Sequence, residues 1–204
     1  MNNREMDRFV AHCNKFLMNE DPKVFHSDEI QNPHIDILKY PPNDHLPYWK
    51  LITMGASDIK MPHLDNTLGD RNEYIMFISP DINLDDHQIF AWFGYKLLMI
   101  AKYPQYAKTH ITYGHSMEWS EEDGSDMVAA YLEMPQILGS PECMRCKLSM
   151  FRKVVLLQPV MLTREETNHL LTIGPEQFSY FLYPEEGSID KCHFICERNR
   201  TEKF

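Results

Sequence analysis

The sequence predicts an α+β fold (a mixed α/β chain), with helices packed against one mostly mixed β-sheet. Segments whose apolar residues recur every three to four positions are interspersed with segments of alternating or continuous apolar residues, in the order helix, strands, helix, strands, helix. Of the 204 residues, 43% are hydrophobic and 25% are charged, and no low-complexity tract interrupts them. We therefore expect residues 1–204 to form a single domain with a sizeable core.

The predicted helices are marked by apolar spacing and by their end signals. The first covers 3–19, where apolar side chains fall on one stripe. The second covers 85–102, and we expect Pro104 to end it because proline removes a helical hydrogen bond. The third opens at Thr163, since Glu166 stands three positions later, as in a capping box.

The predicted strands are bounded by proline, glycine and polar residues. Residues 34–62 hold two short extended runs with a Pro-rich connection, followed by a Gly-Ala-Ser-Asp turn, a pattern typical of a hairpin. Further strands are predicted at 73–79, 109–113 and 127–134. The apolar run 151–160 is interpreted as a buried central strand.

Charge and cysteine content limit the class of partner and the compartment. The net charge of −10 disfavours nucleic acid and anionic membranes, because phosphate neutralisation needs clustered Lys and Arg, and it favours a basic protein partner. The polar residues 1–9 do not resemble a secretory signal, and we find no apolar window long enough to span a membrane. With an odd number of cysteines, five, we expect reduced thiols in a cytoplasmic protein.

The carboxylates are concentrated in two stretches. Residues 109–144 hold seven carboxylates and no Lys or Arg, and residues 175–190 hold four more. Such a run is usually a solvated loop, and an acidic surface for a basic partner is the alternative hypothesis, with Trp119, Tyr180 and Tyr183 as anchors. The predicted partner-binding residues are Glu118, Trp119, Glu121, Glu122, Asp123, Asp126, Glu185 and Glu186.

Two cysteine pairs have the ligand types of a zinc site. These are Cys143 with Cys146, and Cys192 with Cys196. The second pair has a wider spacing, and the gap between the pairs is far longer than in a zinc ribbon. Free thiols are therefore the preferred interpretation, and we expect no metal and no cofactor.

No catalytic constellation stands out. His110 and His115, with the nearby glutamates, are spaced so that a regular strand would direct the two rings to opposite faces. Ser57 and Ser116 do not lie in a Gly-x-Ser-x-Gly elbow. Asp36 and Asp58 could act as acid and base, but a turn-capping role for Asp58, bonding to its own backbone, is the preferred interpretation. We expect a protein that is not an enzyme.

The segment 34–62 resembles the core motif of the suppressor-of-fused (SUFU-like) domain family. That motif is D-I-x-x-x-x-P followed by Y-x-x-L-x-T-x-G-x-S-D-x-x-M, and Met54 and Ala56 depart from it. The resemblance is looser over 147–204. Residues to which it gives a structural role are Asp36, Pro42, Tyr48, Thr53, Gly55, Ser57, Asp58, Met61, Gly114 and His115.

The resemblance implies that the chain works by binding protein. Bacterial single-domain members resemble immunity proteins of toxin–antitoxin systems, which neutralise a cognate polymorphic toxin, in some cases a nuclease. Animal members hold an extended peptide by strand addition. We expect an immunity protein that blocks a basic toxin domain, with a peptide-binding regulator as the second hypothesis and an enzyme or zinc protein as the third.

Overall fold

A mixed β-sheet organises the chain in the computed structural model, which describes residues 1–19, 21–27, 32–62, 69–119, 123–183 and 194–199. The helices are α1 (Asn3–Leu17), α2 (His87–Ala107), α3 (Arg164–Ile173) and α4 (Pro175–Leu182). The strands are β1 (Lys23–Phe25), β2 (Asp36–Tyr40), β3 (Trp49–Met54), β4 (Asn72–Ile78), β5 (Ser116–Glu118), β6 (Met127–Glu133), β7 (Arg145–Lys147) and β8 (Lys153–Thr163).

The sheet has the strand order β1-β2-β3-β4-β8-β6-β5, and β7 also pairs with β8. Strands β1 to β4 form an antiparallel meander. Strand β8 then lies parallel to β4 and antiparallel to β6 and β7. The predicted fold class is therefore confirmed. The strand predicted at 151–160 is confirmed as the central strand β8, but it begins at Lys153, and Phe151 is 93% exposed.

Helices cover both faces of the sheet. Phe93 and Leu97 of α2 pack on one face, in a cluster that includes Ile37 of β2. Phe9 of α1 packs on the opposite face with Leu38 of β2, and α3 and α4 extend that layer over β6 and β8. Because both faces are covered, β2 is buried at every position.

The predicted hairpin at 34–62 is confirmed as the antiparallel pair β2–β3. The charged residues of β2, Asp36 and Lys39, are both buried, so neither face of this strand is open to solvent. Hydrogen bonds compensate the burial of the Lys39 ammonium. Its Nζ donates to the Leu84 carbonyl at 2.6 Å and to Asp85 Oδ1 at 2.8 Å.

The start of α3 agrees with the sequence, and the end of α2 differs from it. Thr163 caps α3, and Glu166 completes the predicted capping box. The predicted end of α2 is wrong, because the helix continues through Pro104 to Ala107. Pro104 is buried in the core layer, and its carbonyl accepts the Lys108 N–H at the helix end, so packing outweighs the lost hydrogen bond.

The strand predicted at 109–113 is also wrong. This segment forms a turn before β5, in which the His115 N–H donates to the Thr112 carbonyl at 3.1 Å. Its backbone is satisfied elsewhere, since the Ile111 carbonyl accepts from the Asn72 side chain at 2.9 Å. The strand predicted at 127–134 is confirmed as β6.

Candidate protein-binding surface

The Gly-Ala-Ser-Asp turn after β3 is built around one buried carboxylate. Glu73 Oε1 accepts the N–H groups of Gly55 and Ser57, each at 2.9 Å, and Oε2 accepts the Thr53 hydroxyl at 2.7 Å. Burial raises the pKa of Glu73, and the hydrogen bonds from Thr53, Ser57 and Gly55 act in the opposite direction. This role of Glu73 was not predicted from the sequence, although Glu73 is an acidic residue near the start of an apolar strand.

Gly55 is required at the turn by its backbone and its surroundings. Its φ of +119° lies in the region that disfavours side chains, and a Cβ there would lie 2.2 Å from the His34 carbonyl oxygen. The turn thus packs directly on the segment that leads into β2.

The turn-capping role predicted for Asp58 is wrong. Its carboxylate instead contacts the guanidinium of Arg152 and the Met1 amine, while Glu73 accepts the turn's N–H groups. Burial alone would raise the pKa of Asp58, but these two cationic partners hold it below its ordinary value. Asp58 therefore connects the turn to the loop before β8 and to the start of the chain.

The remaining motif residues also lie in the framework. Tyr48 and Met61 are buried, and Pro42 is half-buried between β2 and β3. Gly114 has a φ of +84° and donates to the Leu132 carbonyl at 2.9 Å, and the His115 carbonyl accepts from the Leu132 N–H at 2.8 Å. The Gly-His pair thus begins the pairing of β5 with β6.

Trp119 is a core residue, which contradicts its predicted role as an interface anchor. It is buried, its indole N–H donates to the Met127 carbonyl at 2.9 Å, and Lys96 Nζ lies 4.6 Å from its ring centroid. Of the other aromatic anchors, Tyr183 donates to the Met134 carbonyl at 3.2 Å. Tyr180 alone of the three is strongly exposed, at 83%.

Part of the predicted acidic surface is neutralised by a cationic side chain of the protein itself. Asp123 lies 3.0 Å from the buried Nζ of Lys96 and accepts from Trp92 at 2.7 Å. Burial acts to raise the pKa of Asp123, but these two partners bring it below its ordinary value. Glu118 pairs with Arg164 at 2.7 Å, at the surface.

Three further carboxylates of the first acidic stretch have different surroundings. Glu133 is fully buried and accepts the Ser179 hydroxyl at 2.6 Å; burial raises its pKa. Asp126 and Glu142 are exposed. Glu121, Glu122, Glu185 and Glu186 lie outside the described residues. Of the predicted partner-binding residues that the structure describes, Glu118 and Asp126 remain on the surface as predicted.

Strand β5 is the last strand at one side of the sheet. Among the described residues, it pairs with β6 on one side, and its other edge is unpaired. The Trp119 N–H donates to the Val128 carbonyl, and the Leu132 N–H donates to the His115 carbonyl. From His115 to Trp119, the backbone N–H and C=O groups of the odd-numbered residues therefore point toward β6. Antiparallel alternation then directs the peptide groups of Ser116 and Glu118 to the open edge. We call β5 with Asp126 the acidic edge.

The opposite charge lies at a distant cleft of about 800 Å³ between α1 and β7. Its lining includes Arg8, Lys15, Arg145 and Lys147, with one carboxylate, Glu142. A basic partner would be repelled from this cleft and attracted to the acidic edge.

The two cysteine pairs are not brought together by the described residues. Cys146 lies in the cluster beneath α1, whereas Cys196 lies in the cluster beneath α2, on the other face of the sheet. Cys143 is buried and burial raises its pKa. Cys192 lies outside the described part of the chain.

The residues considered for catalysis are not gathered in one site, although His110 and His115 lie close enough to interact. His110 Nδ1 contacts the Pro62 carbonyl at 3.1 Å, and the pKa of His115 is lowered by burial and by His110. Ser57 is buried beside Arg152, while Ser116 lies on the exposed edge. In the part of the chain that the structure describes, these histidines do not share a three-residue ligand cluster with the glutamates.

The chain belongs to a class of α+β proteins with a mixed β-sheet between two layers of helices. The residues of the 34–62 motif, including the turn at Gly55, form part of the structural framework of this fold. Solved structures of suppressor of fused proteins have this fold. The family model described as suppressor of fused protein (SUFU) matches residues 31–190, well over half of the chain. The chain belongs to the suppressor of fused family. The family prediction is confirmed.

Three solved structures illustrate the likeness. The SUFU homologue from Neisseria gonorrhoeae FA 1090 has a TM-score of 0.61 and 16% identity, over 84% of each chain. The structure of the Sufu–Fu complex has a TM-score of 0.68 and 13% identity, over 98% of this chain and 91% of the other. Drosophila Suppressor of Fused has a TM-score of 0.64 and 14% identity, over 88% of this chain and 46% of the other.

A search among curated proteins gives no match. Among the described residues, no helix combines the length and the apolar character that crossing a membrane requires. The fold fits a protein-binding role, as the Sufu–Fu complex illustrates for a relative.

Proposed function

We propose that this chain is a non-enzymatic immunity protein that binds and neutralises a basic toxin domain through the acidic edge. The observation that carries the proposal is the edge strand β5, which has outward peptide groups and carries Glu118, a surface carboxylate paired with Arg164; the exposed Asp126 precedes the neighbouring strand β6. An extended segment of a partner can add to such an edge by main-chain hydrogen bonds. The net charge of −10 supports attraction of a basic partner at long range.

The two contributions have different physical signatures. Strand addition depends on the outward N–H and C=O groups of β5, so it is insensitive to salt. The carboxylates steer the encounter, and their effect weakens as ionic strength rises. We therefore expect a complex whose association rate falls with salt more than its dissociation rate changes.

The primary experiment identifies the open reading frame adjacent to this gene and co-expresses its product with this chain. Protection of the host cell and a purified one-to-one complex are expected. If the cells die and the purified proteins do not associate, the immunity function is wrong.

The edge can be tested by two variants with a matched control. Ser116→Pro removes one outward N–H and leaves the odd-numbered residues that pair with β6. Asp126→Lys reverses charge at the edge, and Asp81→Lys makes the same change at a distant exposed site. We expect Ser116→Pro and Asp126→Lys to weaken binding at least tenfold and Asp81→Lys to change it less than twofold. Equal effects of the two lysine variants would assign the charge effect to the whole molecule.

A peptide-binding regulator is the second candidate, and it uses the same edge. The structure of the Sufu–Fu complex is consistent with partner binding by this fold in a relative. The two functions differ in what suffices for binding: a regulator would bind an isolated basic extended peptide, whereas an immunity protein requires the folded toxin domain. Fluorescence anisotropy with a labelled peptide from the toxin's contact segment, beside the intact toxin, separates them.

A further inference from the structure

A cluster of two histidines and one aspartate lies at the end of the β1–β2 pair, away from the acidic edge. His26 follows β1 directly, and Asp36 is the first residue of β2. Because Phe25 pairs with Ile37, the antiparallel register places His26 opposite Asp36. His34 lies two residues before Asp36, so an extended backbone directs both side chains to the same face.

The donor atoms of the three side chains converge. His26 Nδ1 lies 3.0 Å from Asp36 Oδ1, and His34 Nε2 lies 2.8 Å from the same oxygen. One ligand atom from each residue lies within 4.8 Å of the other two. Ligands that share a metal ion at 2.0–2.2 Å are separated by roughly 3 Å, so small side-chain rotations would bring all three into one coordination sphere.

The three side chains differ in exposure in the way expected of a site that is open to solvent on one side. The Asp36 side chain is 8% exposed, whereas those of His26 and His34 are 70% and 50% exposed. Among the described residues, the ion-pair contacts of Asp36 are with these two histidines, so its charge is not already neutralised by a Lys or Arg. A divalent cation would compensate a buried carboxylate and leave its remaining positions to water.

Two of the three ligands are held by rigid structure. Asp36 is fixed by its pairing with Met54 of β3. The His34 carbonyl packs so closely on Gly55 that a Cβ there would clash with it. A site on a fixed framework loses little conformational freedom when it binds a ligand.

We propose that His26, His34 and Asp36 form a binding site for a divalent transition metal, with Zn²⁺ as the expected ion. Two imidazoles and one carboxylate are a ligand set of zinc sites that keep an open position. Hard cations such as Mg²⁺ and Ca²⁺ prefer oxygen ligands and would bind poorly here. The open position faces solvent, where it can accept water or a side chain of a bound protein.

Metal titration of the tag-free protein tests the site. Isothermal titration calorimetry with Zn²⁺ should give one ion per chain, and Co²⁺ should give visible absorption bands of a low-coordinate complex. The double variant His26→Gln/His34→Gln keeps groups that can hydrogen-bond to Asp36 but removes both imidazoles. We expect its Zn²⁺ affinity to fall at least a hundredfold.

The controls separate the site from adventitious binding and from a purely structural role. His45→Gln and His87→Gln alter two exposed histidines elsewhere and should leave the affinity unchanged within twofold. Zn²⁺ should raise the Tm of the wild type and of these controls, but not that of the double variant. Equal Zn²⁺ binding by the wild type and the double variant, or no binding at 100 μM Zn²⁺, would overturn the proposal.

Discussion

The N–H of Gly55 donates to Oε1 of Glu73 at 2.9 Å, so the glycine of the family turn is fixed by a carboxylate from the neighbouring strand. Oε1 also accepts from Ser57, and Oε2 accepts from Thr53 and from Ala56. This single side chain therefore satisfies the turn's backbone donors inside the core, where water cannot replace it.

Glu73→Gln should destabilise the protein. The amide replaces one acceptor oxygen with a donor that faces other donors, which leaves buried N–H groups without an acceptor. We expect the free energy of unfolding to fall by about 2–4 kcal/mol. Urea denaturation followed by circular dichroism measures this change. Glu142→Gln, at an exposed position, should change stability by less than about 0.5 kcal/mol, and a similar loss in both variants would contradict the role of Glu73.

Gly55→Ala should be more harmful than a change at another glycine of positive φ. The added Cβ would lie 2.2 Å from the His34 carbonyl oxygen, and the backbone φ of +119° adds strain. We expect a loss of about 3 kcal/mol or more. At Gly139, φ is +66° and no atom lies within 4 Å, so Gly139→Ala should cost about 1 kcal/mol. Thermal denaturation of both variants checks the order, and equal losses would show that the contact with His34 is unimportant.

The sequence predicted features that are determined locally. The β2–β3 hairpin follows from its proline and glycine boundaries, and the α3 capping box from Thr163 and Glu166. The burial of Asp36 and Lys39 was not predicted, because it depends on helices that pack from distant parts of the chain. The end of α2 was misplaced for a similar reason: Pro104 lies within a helix that the core holds in place.

The candidate surface was harder to predict because charge partners are not local. Asp123 belongs to an acidic run, yet its partner Lys96 comes from α2. Trp119 follows Glu118 and looked like a surface residue, but the strand alternation that buries it appears only when β5 is placed correctly. His26 gave no signal in the sequence, since its proximity to Asp36 requires the register of β1 on β2.

Asp123→Asn should destabilise the fold, because it leaves the buried ammonium of Lys96 without its counter-charge. We expect a loss of about 2–3 kcal/mol at neutral pH. Asp126→Asn removes an exposed carboxylate close by in the sequence and should change stability by less than about 0.5 kcal/mol.

The pair of Asp123 and Lys96 also predicts that the stability of the protein depends on pH in acidic solution. The partners Lys96 and Trp92 keep the pKa of Asp123 below its ordinary value of 3.8, although burial opposes them. The unfolded chain therefore binds this proton first as pH falls, and the stabilisation is lost as pH falls through the folded pKa. The difference in stability between wild type and Asp123→Asn should shrink below about pH 4. A difference that stays constant down to pH 2.5 would show that the carboxylate does not stabilise Lys96.

Lys50 predicts a dependence on pH of the same sign, but in alkaline solution. It is fully buried in β3, where Nζ donates to the Pro41 carbonyl at 2.5 Å and the Leu46 carbonyl at 3.3 Å. Burial lowers the pKa of Lys50 from 10.5 to about 8. Between these pH values the unfolded chain binds more protons than the folded chain, so the free energy of unfolding rises with pH.

Comparison with Lys50→Met isolates this contribution, since the other titrating groups are common to both proteins. We expect the stability of the wild type relative to Lys50→Met to increase by on the order of 1–3 kcal/mol from pH 7.5 to 10.5. Urea denaturation at one-unit pH intervals measures it. Lys147→Met, at an exposed position of β7, should show no such trend relative to the wild type. A flat difference for Lys50→Met would mean that the ammonium remains charged inside the fold, held by the two carbonyl groups that it contacts.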